Sequence, residues 1–213
     1  MHKCLTNSFL LAFLSVATIA CDQNETSYIV DLCDIKEQGS TLYLFSDGGA
    51  TLYPSSSLDV ATYKAGQRFR VTYVKLEGNS LSGEESMVEI KDMLPVLIKD
   101  VVTPGSFTDR LADPLWLVGK PWFGGSYLNF EFTYGYSEDS DIKHSIQLVQ
   151  DSVSRRKAYM TFGHNANGDA YDKKVTALAS FPLSTFPERS NVDSLVIRVK
   201  EGSKNKTYRL AVK

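Results

Sequence analysis

The 213-residue chain carries 23 Lys and Arg against 25 Asp and Glu, a formal charge of −2, and is 43% hydrophobic. That content suffices for a buried core, and the weakly acidic balance lacks the basic footprint that nucleic-acid binding needs. Three cysteines, Cys4, Cys21 and Cys33, are too few for a disulfide framework.

The chain opens with a short n-region containing His2 and Lys3, followed by an apolar run over residues 9–20. A helix of that length reaches roughly 18 Å, against a hydrocarbon core of about 30 Å, so the run reads as a secretory h-region. It ends Thr18-Ile19-Ala20-Cys21, which resembles a bacterial lipobox with Thr18 in place of the usual Leu. The resemblance implies that residues 1–20 are a lipoprotein signal peptide and that Cys21 is acylated. The other reading is an ordinary signal peptide cleaved nearby, with Cys21 incidental. Several acyl chains anchor a protein durably where one does not. Residues 21–27 form a polar tether whose acidic, amide-rich start, Asp22-Gln23-Asn24-Glu25, resembles the surface-export signals of Bacteroidetes lipoproteins. The expected address is the outer membrane, facing the cell surface or the periplasm.

Residues 28–102 read as short strands separated by turn signals, over 28–35, 41–45, 51–53, 68–76 and 87–99, the last interrupted at Pro95. Asp47-Gly48-Gly49 supplies a tight hairpin turn. Phe69, Val71 and Tyr73 alternate with Arg68, Arg70 and Thr72, which predicts a sheet with the arginines on its wet face. Strands of this number and size suggest an OB-like β-barrel. Cys33 falls in an apolar strand as a small core residue.

Thr103-Pro104-Gly105-Ser106 marks the expected boundary. Over residues 103–213, strands at 128–136, 142–149, 157–164, 175–182, 194–200 and 207–212 predict an antiparallel β-sandwich, so the fold class is all-β. Before them lies a loop containing Trp116, Trp122, Phe123 and Tyr127 with Gly124-Gly125, which reads as flexible. Rigid aromatic faces are what sugars and partner proteins dock on, so these four residues are candidate ligand contacts. The competing reading is a buried loop that closes the end of the sandwich or packs against the barrel.

At this point the residues carry a family resemblance. Asp47-Gly48-Gly49 with Leu52 and Pro54, Gly66-Gln67-Arg68 leading into Tyr73, Leu128-Asn129-Phe130, Lys143-His144, and His164 through Asp169 resemble segments of the NigD-like lipoproteins of Bacteroidetes. The resemblance implies an N-terminal OB domain, a C-terminal β-sandwich and a lipobox. The family takes its name from association with a bacteriocin-linked gene cluster, from which no activity follows.

A hairpin closing around Ser154 would set His144 opposite His164, Ile146 opposite Phe162 and Leu148 opposite Met160. Paired imidazoles could hold a transition metal with Asp169 or Asp172 as a third ligand; the plainer reading is a hydrogen-bonded polar cluster. The stretch Asn165 to Asp169 has calcium-like spacing but places Ala170 and Thr176 where Gly and Glu are required, so Asn167-Gly168 reads as a type I′ turn. No Gly-x-Ser-x-Gly occurs, and no other catalytic motif stands out. The expectation is a non-catalytic, lipid-anchored binding or assembly module with a protein or glycan partner and no cofactor. The alternative is a metal-dependent or other hydrolase using His144 and His164.

Overall fold

A computed structural model describes residues 27–80, 84–104 and 111–212. The expected signal peptide, Cys21 and all but the last residue of the tether lie outside the described residues. Five strands, β1 (Ile29–Gln38), β2 (Thr41–Ser46), β3 (Thr51–Pro54), β4 (Arg68–Ser80) and β5 (Glu85–Pro95), close into a barrel in the order β1-β2-β3-β5-β4. β1 serves two neighbours, pairing β4 through its first half and β2 through its second, with Cys33 and Asp34 in both ladders. The β3–β5 pair is parallel, which gives the barrel the strand order expected of an OB-like fold. Its interior holds Ile35, Leu44, Leu52, Val71, Val88 and Cys33. Burial pushes the Cys33 thiol up to about 12, so it is an inert core group.

The second domain comprises β6 (Leu97–Ile98), β7 (Leu115–Leu117), β8 (Trp122–Gly124), β9 (Tyr127–Tyr136), β10 (Ser145–Ser154), β11 (Lys157–Asn165), β12 (Lys173–Pro182), β13 (Ser194–Glu201) and β14 (Lys204–Ala211). Its sheet runs β10-β11-β13-β7-β9-β12-β6 and folds over on itself into two layers, joined where short β7 touches β13 at Leu115↔Glu201. Phe130 stacks on Phe162 at 4.1 Å between the layers, with Phe181 edge-on to both. The sandwich is not purely antiparallel. β11 and β13 run parallel because the chain crosses to the other layer as β12 between them. The β13–β14 hairpin pairs Leu195 with Leu210 and Ile197 with Tyr208, all four packed into the sandwich core.

Strand pairing passes from barrel to sandwich at Val96, ahead of the expected boundary at Thr103. β5 ends at Pro95, opposite Phe69, and the Val96 N–H makes the last bond to β4, at the Arg68 carbonyl. The next residues pair instead with β12, at Leu97↔Ala179 and Ile98↔Ser180, and Val102 bridges Val149 of β10.

Arg68 departs from its expected place. It is 2% exposed and stands between the domains, not on a wet face. Its Nε donates to Ser180 Oγ (2.9 Å), one terminal nitrogen to Asp34 (2.8 Å), and the other to both Asp47 oxygens (2.7 Å). The guanidinium plane covers the Tyr127 ring at 4.1 Å. Only a planar fork can serve so many directions at once. Burial raises the Asp47 carboxyl despite the pull of Arg68, as expected where desolvation outweighs the attraction. Gly124 and Gly125 are part of the same contact. A Cβ at Gly124 would sit 2.3 Å from Asp47 Oδ2, so the pair permits close approach rather than flexibility.

Removing the guanidinium leaves the half-buried Asp47 without a counter-charge and Asp34 with only the Lys36 ammonium at 3.6 Å. Arg68→Met is expected to cost about 3–5 kcal/mol, roughly 6–20 °C in melting temperature, and Arg68→Lys to rescue little of it. Calorimetry of the variants checks this; a loss below about 1 kcal/mol would contradict it.

Candidate functional site

β10 and β11 are joined by a two-residue turn at Arg155 and Arg156, both with positive φ (50° and 60°), and a bulge follows Gln150. Leu148 therefore faces Phe162 and Ile146 faces His164, a shift of two residues from the expected register. A shift of two keeps every side chain on its face, so the histidines still meet, now along a diagonal. His144 Nδ1 lies 2.9 Å from His164 Nε2, and both rings pack against Tyr134 at 5.2 Å.

The turn after β11 supplies the third member. Asn167 and Gly168 have φ of 52° and 84°, and the Asp169 amide donates to the Ala166 carbonyl (3.0 Å), closing the expected turn. This aims Asp169 Oδ2 at His144 Nε2 (2.9 Å) and at the Ser137 amide (2.9 Å). The Ser137 N–H, with His144 second, holds the Asp169 carboxyl down at about 2. At the far end His164 Nδ1 faces the Pro114 carbonyl at 3.3 Å. The series begins and ends on acceptors, so all three contacts are filled only when the two rings share three protons. Burial pushes His164 below the usual histidine range.

The structure thus unites His144, His164 and Asp169, as a hydrogen-bonded chain. Asp172 stands apart, accepting from Ser137 Oγ (3.2 Å). Among the described residues, no group of three or more His, Cys, Asp or Glu is arranged to hold a metal ion. Metal binding by the two rings would require the proton between them to leave.

His144 also lines a groove of about 860 Å³ floored by Phe132, Tyr134 and Ala177. One wall is β12, with Val175 36% exposed; the other is the loop before β10, with Ile142 45% exposed. Leu97, 42% exposed, closes one end. None of this groove was visible in the sequence, because its two walls are brought together only by the folding over of the sheet.

The four candidate aromatics do not form one loop. Trp122 and Phe123 belong to β8 and pair with Asn129 and Leu128 of β9. They line a groove of about 440 Å³ between the domains, beside Asp31, Arg70 and Glu131. Tyr127 lies beneath Arg68, and Trp116 on β7 lies under the Lys174 ammonium at 4.8 Å. All four are half-buried. The Arg68 cluster itself went unforeseen: Ser180 is 112 residues away, and no local pattern marks the pairing.

Both titrating ends of the histidine chain act in the same direction. Below about pH 6.5 the unfolded chain protonates His164 while the folded protein resists, so stability falls on acidification. Asp169 adds a second loss as pH drops from about 3.8 towards about 2. Denaturant melts at pH 7.5 and 5.5 should show the first loss in the parent and a smaller one in His164→Gln. An equal loss in both would place its origin elsewhere.

The family model of the NigD-like C-terminal beta sandwich domain matches residues 102–212. No curated protein matches the sequence. Among solved structures, the fold is similar to that of a protein of unknown function from Bacteroides vulgatus, with a TM-score of 0.72 and 21% identity over 88% of this chain and 92% of that one. A candidate lipoprotein from Bacteroides fragilis gives 0.67 and 9% identity over 88% and 98%. A NigD-like immunity protein from Bacteroides caccae gives 0.58 and 18% over 87% and 92%. At such identities the likeness is one of fold, and it extends over barrel and sandwich alike. With just over half of its length matched by the family model, the chain belongs to the NigD-like family.

Proposed function

We propose that this protein is a lipid-anchored module of the cell envelope that captures a protein partner and has no catalysis of its own. The groove beside His144 is the observation that carries this reading. Val175, Ile142 and Leu97 stay wet around one concavity, and a clustered apolar surface of that kind marks a binding site more often than a scatter of single residues does. The histidine pair at its end is engaged with Asp169 and Pro114, an arrangement that orders the groove wall and leaves no ring nitrogen free for general-base work. The lipobox at Cys21 supplies the anchor. Of the structures similar to this one, one is a candidate lipoprotein and another an immunity protein, which fits binding at a membrane better than turnover.

A second reading rests on Trp122. Its half-exposed ring stands beside Arg70, Asp31 and Glu131, a combination of aromatic face and polar groups suited to a sugar.

Two measurements separate these readings. Cys21→Ser should move the protein from the membrane fraction to the soluble fraction and abolish incorporation of labelled palmitate; retention in the membrane would contradict lipid anchoring. A photoreactive benzoylphenylalanine in place of Ile142, in the full-length protein in its native cells, should yield an adduct with another protein. Trp122→Ala should leave that adduct unchanged. No adduct, together with Trp122-dependent binding on a glycan array, would favour sugar capture.

A further inference from the structure

β12 has two edges. One is laddered to β9 along its whole length, from Lys173↔Tyr136 to Pro182↔Tyr127. The other is laddered only at Ala179 and Ser180, by β6. Among the described residues, no strand pairs with this second edge over residues 173–178. The Lys99 N–H donates to the Ser180 carbonyl (3.2 Å), so the peptide groups of Ser180 face the seam between β12 and β10. Alternation along the strand aims those of Thr176 and Lys174 the same way. Unpaired peptide groups on a sheet edge are a template for another strand.

The side chains fit such an occupant. Val175 and Ala177 share the inward face with buried Ala179 and Phe181, so the seam opens directly onto the interior of the sandwich, above Tyr134. The ions around it are already engaged: Lys173 with Glu138, His144 with Asp169, and Lys174 over Trp116 on the outer face. Lys143, on the loop before β10, is the other cation that lines the groove.

We propose that this seam is a strand-accepting slot, filled by an extended segment of a partner protein that lies parallel to β12 with alternate apolar residues pointing inward. This rests on the partner-capture reading above. The identity of the occupant is argued from β6, which shows what the edge takes. Leu97 and Ile98 already lie on it in parallel register, and Val102 beyond them bridges β10. A partner strand would continue the line of β6 beyond Leu97 towards residue 174, over about five residues or roughly 17 Å. Main-chain bonds to Thr176 and Lys174 would supply affinity, and the pockets over Tyr134 and Ala177 would supply selectivity.

The test uses the Ile142 photo-adduct in native cells. Thr176→Pro removes one seam-facing N–H and spares the β9 ladder, which engages the alternate residues. It should reduce adduct yield about tenfold, the worth of one or two lost hydrogen bonds and a disturbed edge. Thr176→Val, which keeps the N–H, should not. Val175→Asp, which charges the inward face without altering the backbone, should reduce yield likewise and serves if the proline variant fails to fold. Mass spectrometry should map the adduct to a segment with apolar residues at alternate positions. An adduct insensitive to both Thr176→Pro and Val175→Asp would overturn strand acceptance while leaving partner capture standing. An adduct of twice the chain mass would assign the slot to a second copy and overturn the proposal. Absence of any adduct would remove both readings.

Discussion

The buried guanidinium of Arg68 is the constraint on which the arrangement of the two domains depends. Its side chain gathers Asp34 and Asp47 from the barrel and Ser180 from the sandwich, and its carbonyl accepts the N–H of Val96 where the chain crosses between them. Ser180 is at the same time the residue that β6 pairs with. One arginine thus fixes both the orientation of the domains and the point at which the connecting chain reaches β12. Because that point is high on the strand, the edge below it is left uncovered. The open seam is a geometric consequence of the crossing.

An ion cluster of this kind costs desolvation, and the raised Asp47 carboxyl shows that burial prevails over attraction. Its contribution is orientation rather than surplus stability. A hydrophobic contact of equal area would hold the domains together without specifying which residues meet, whereas a fork serving Ser180 and two carboxylates admits one geometry. The histidine chain does a similar job at the other end of the groove. It ties the residue before β7, the residue before β10, the end of β11 and the turn that follows it through Pro114, His144, His164 and Asp169. Between these two polar clusters lies the apolar groove, its ends held and its edge free.

Much of this was legible in the sequence, and the exceptions share a cause. Sequence pattern located the barrel strands and the strands that form β9, β13 and β14, since each depends only on neighbouring residues. The histidine pair was foreseen because opposing faces survive a slip of two. The register itself was missed: Arg155 and Arg156 form the turn in a left-handed conformation that neither residue type advertises. Arg68 was misread as solvent-facing because its alternation with Phe69 is the same whether the polar face meets water or another domain. The Trp122 stretch was read as a loop because three-residue strands carry too little alternation to register. The segments that resemble the NigD-like family contribute Asp47, Arg68 and Asn129 to one polar cluster and His144, His164 and Asp169 to the other.

The uncovered edge of β12 can be observed directly by residue-resolved amide hydrogen exchange in the free protein. The open-edge geometry requires Val175 and Ala177, whose N–H groups face β9, to exchange slowly, and Thr176 and Lys174 between them to exchange orders of magnitude faster. Uniform protection from residue 174 through 177 would mean that the edge is already covered, and would contradict the open seam on which the functional reading stands.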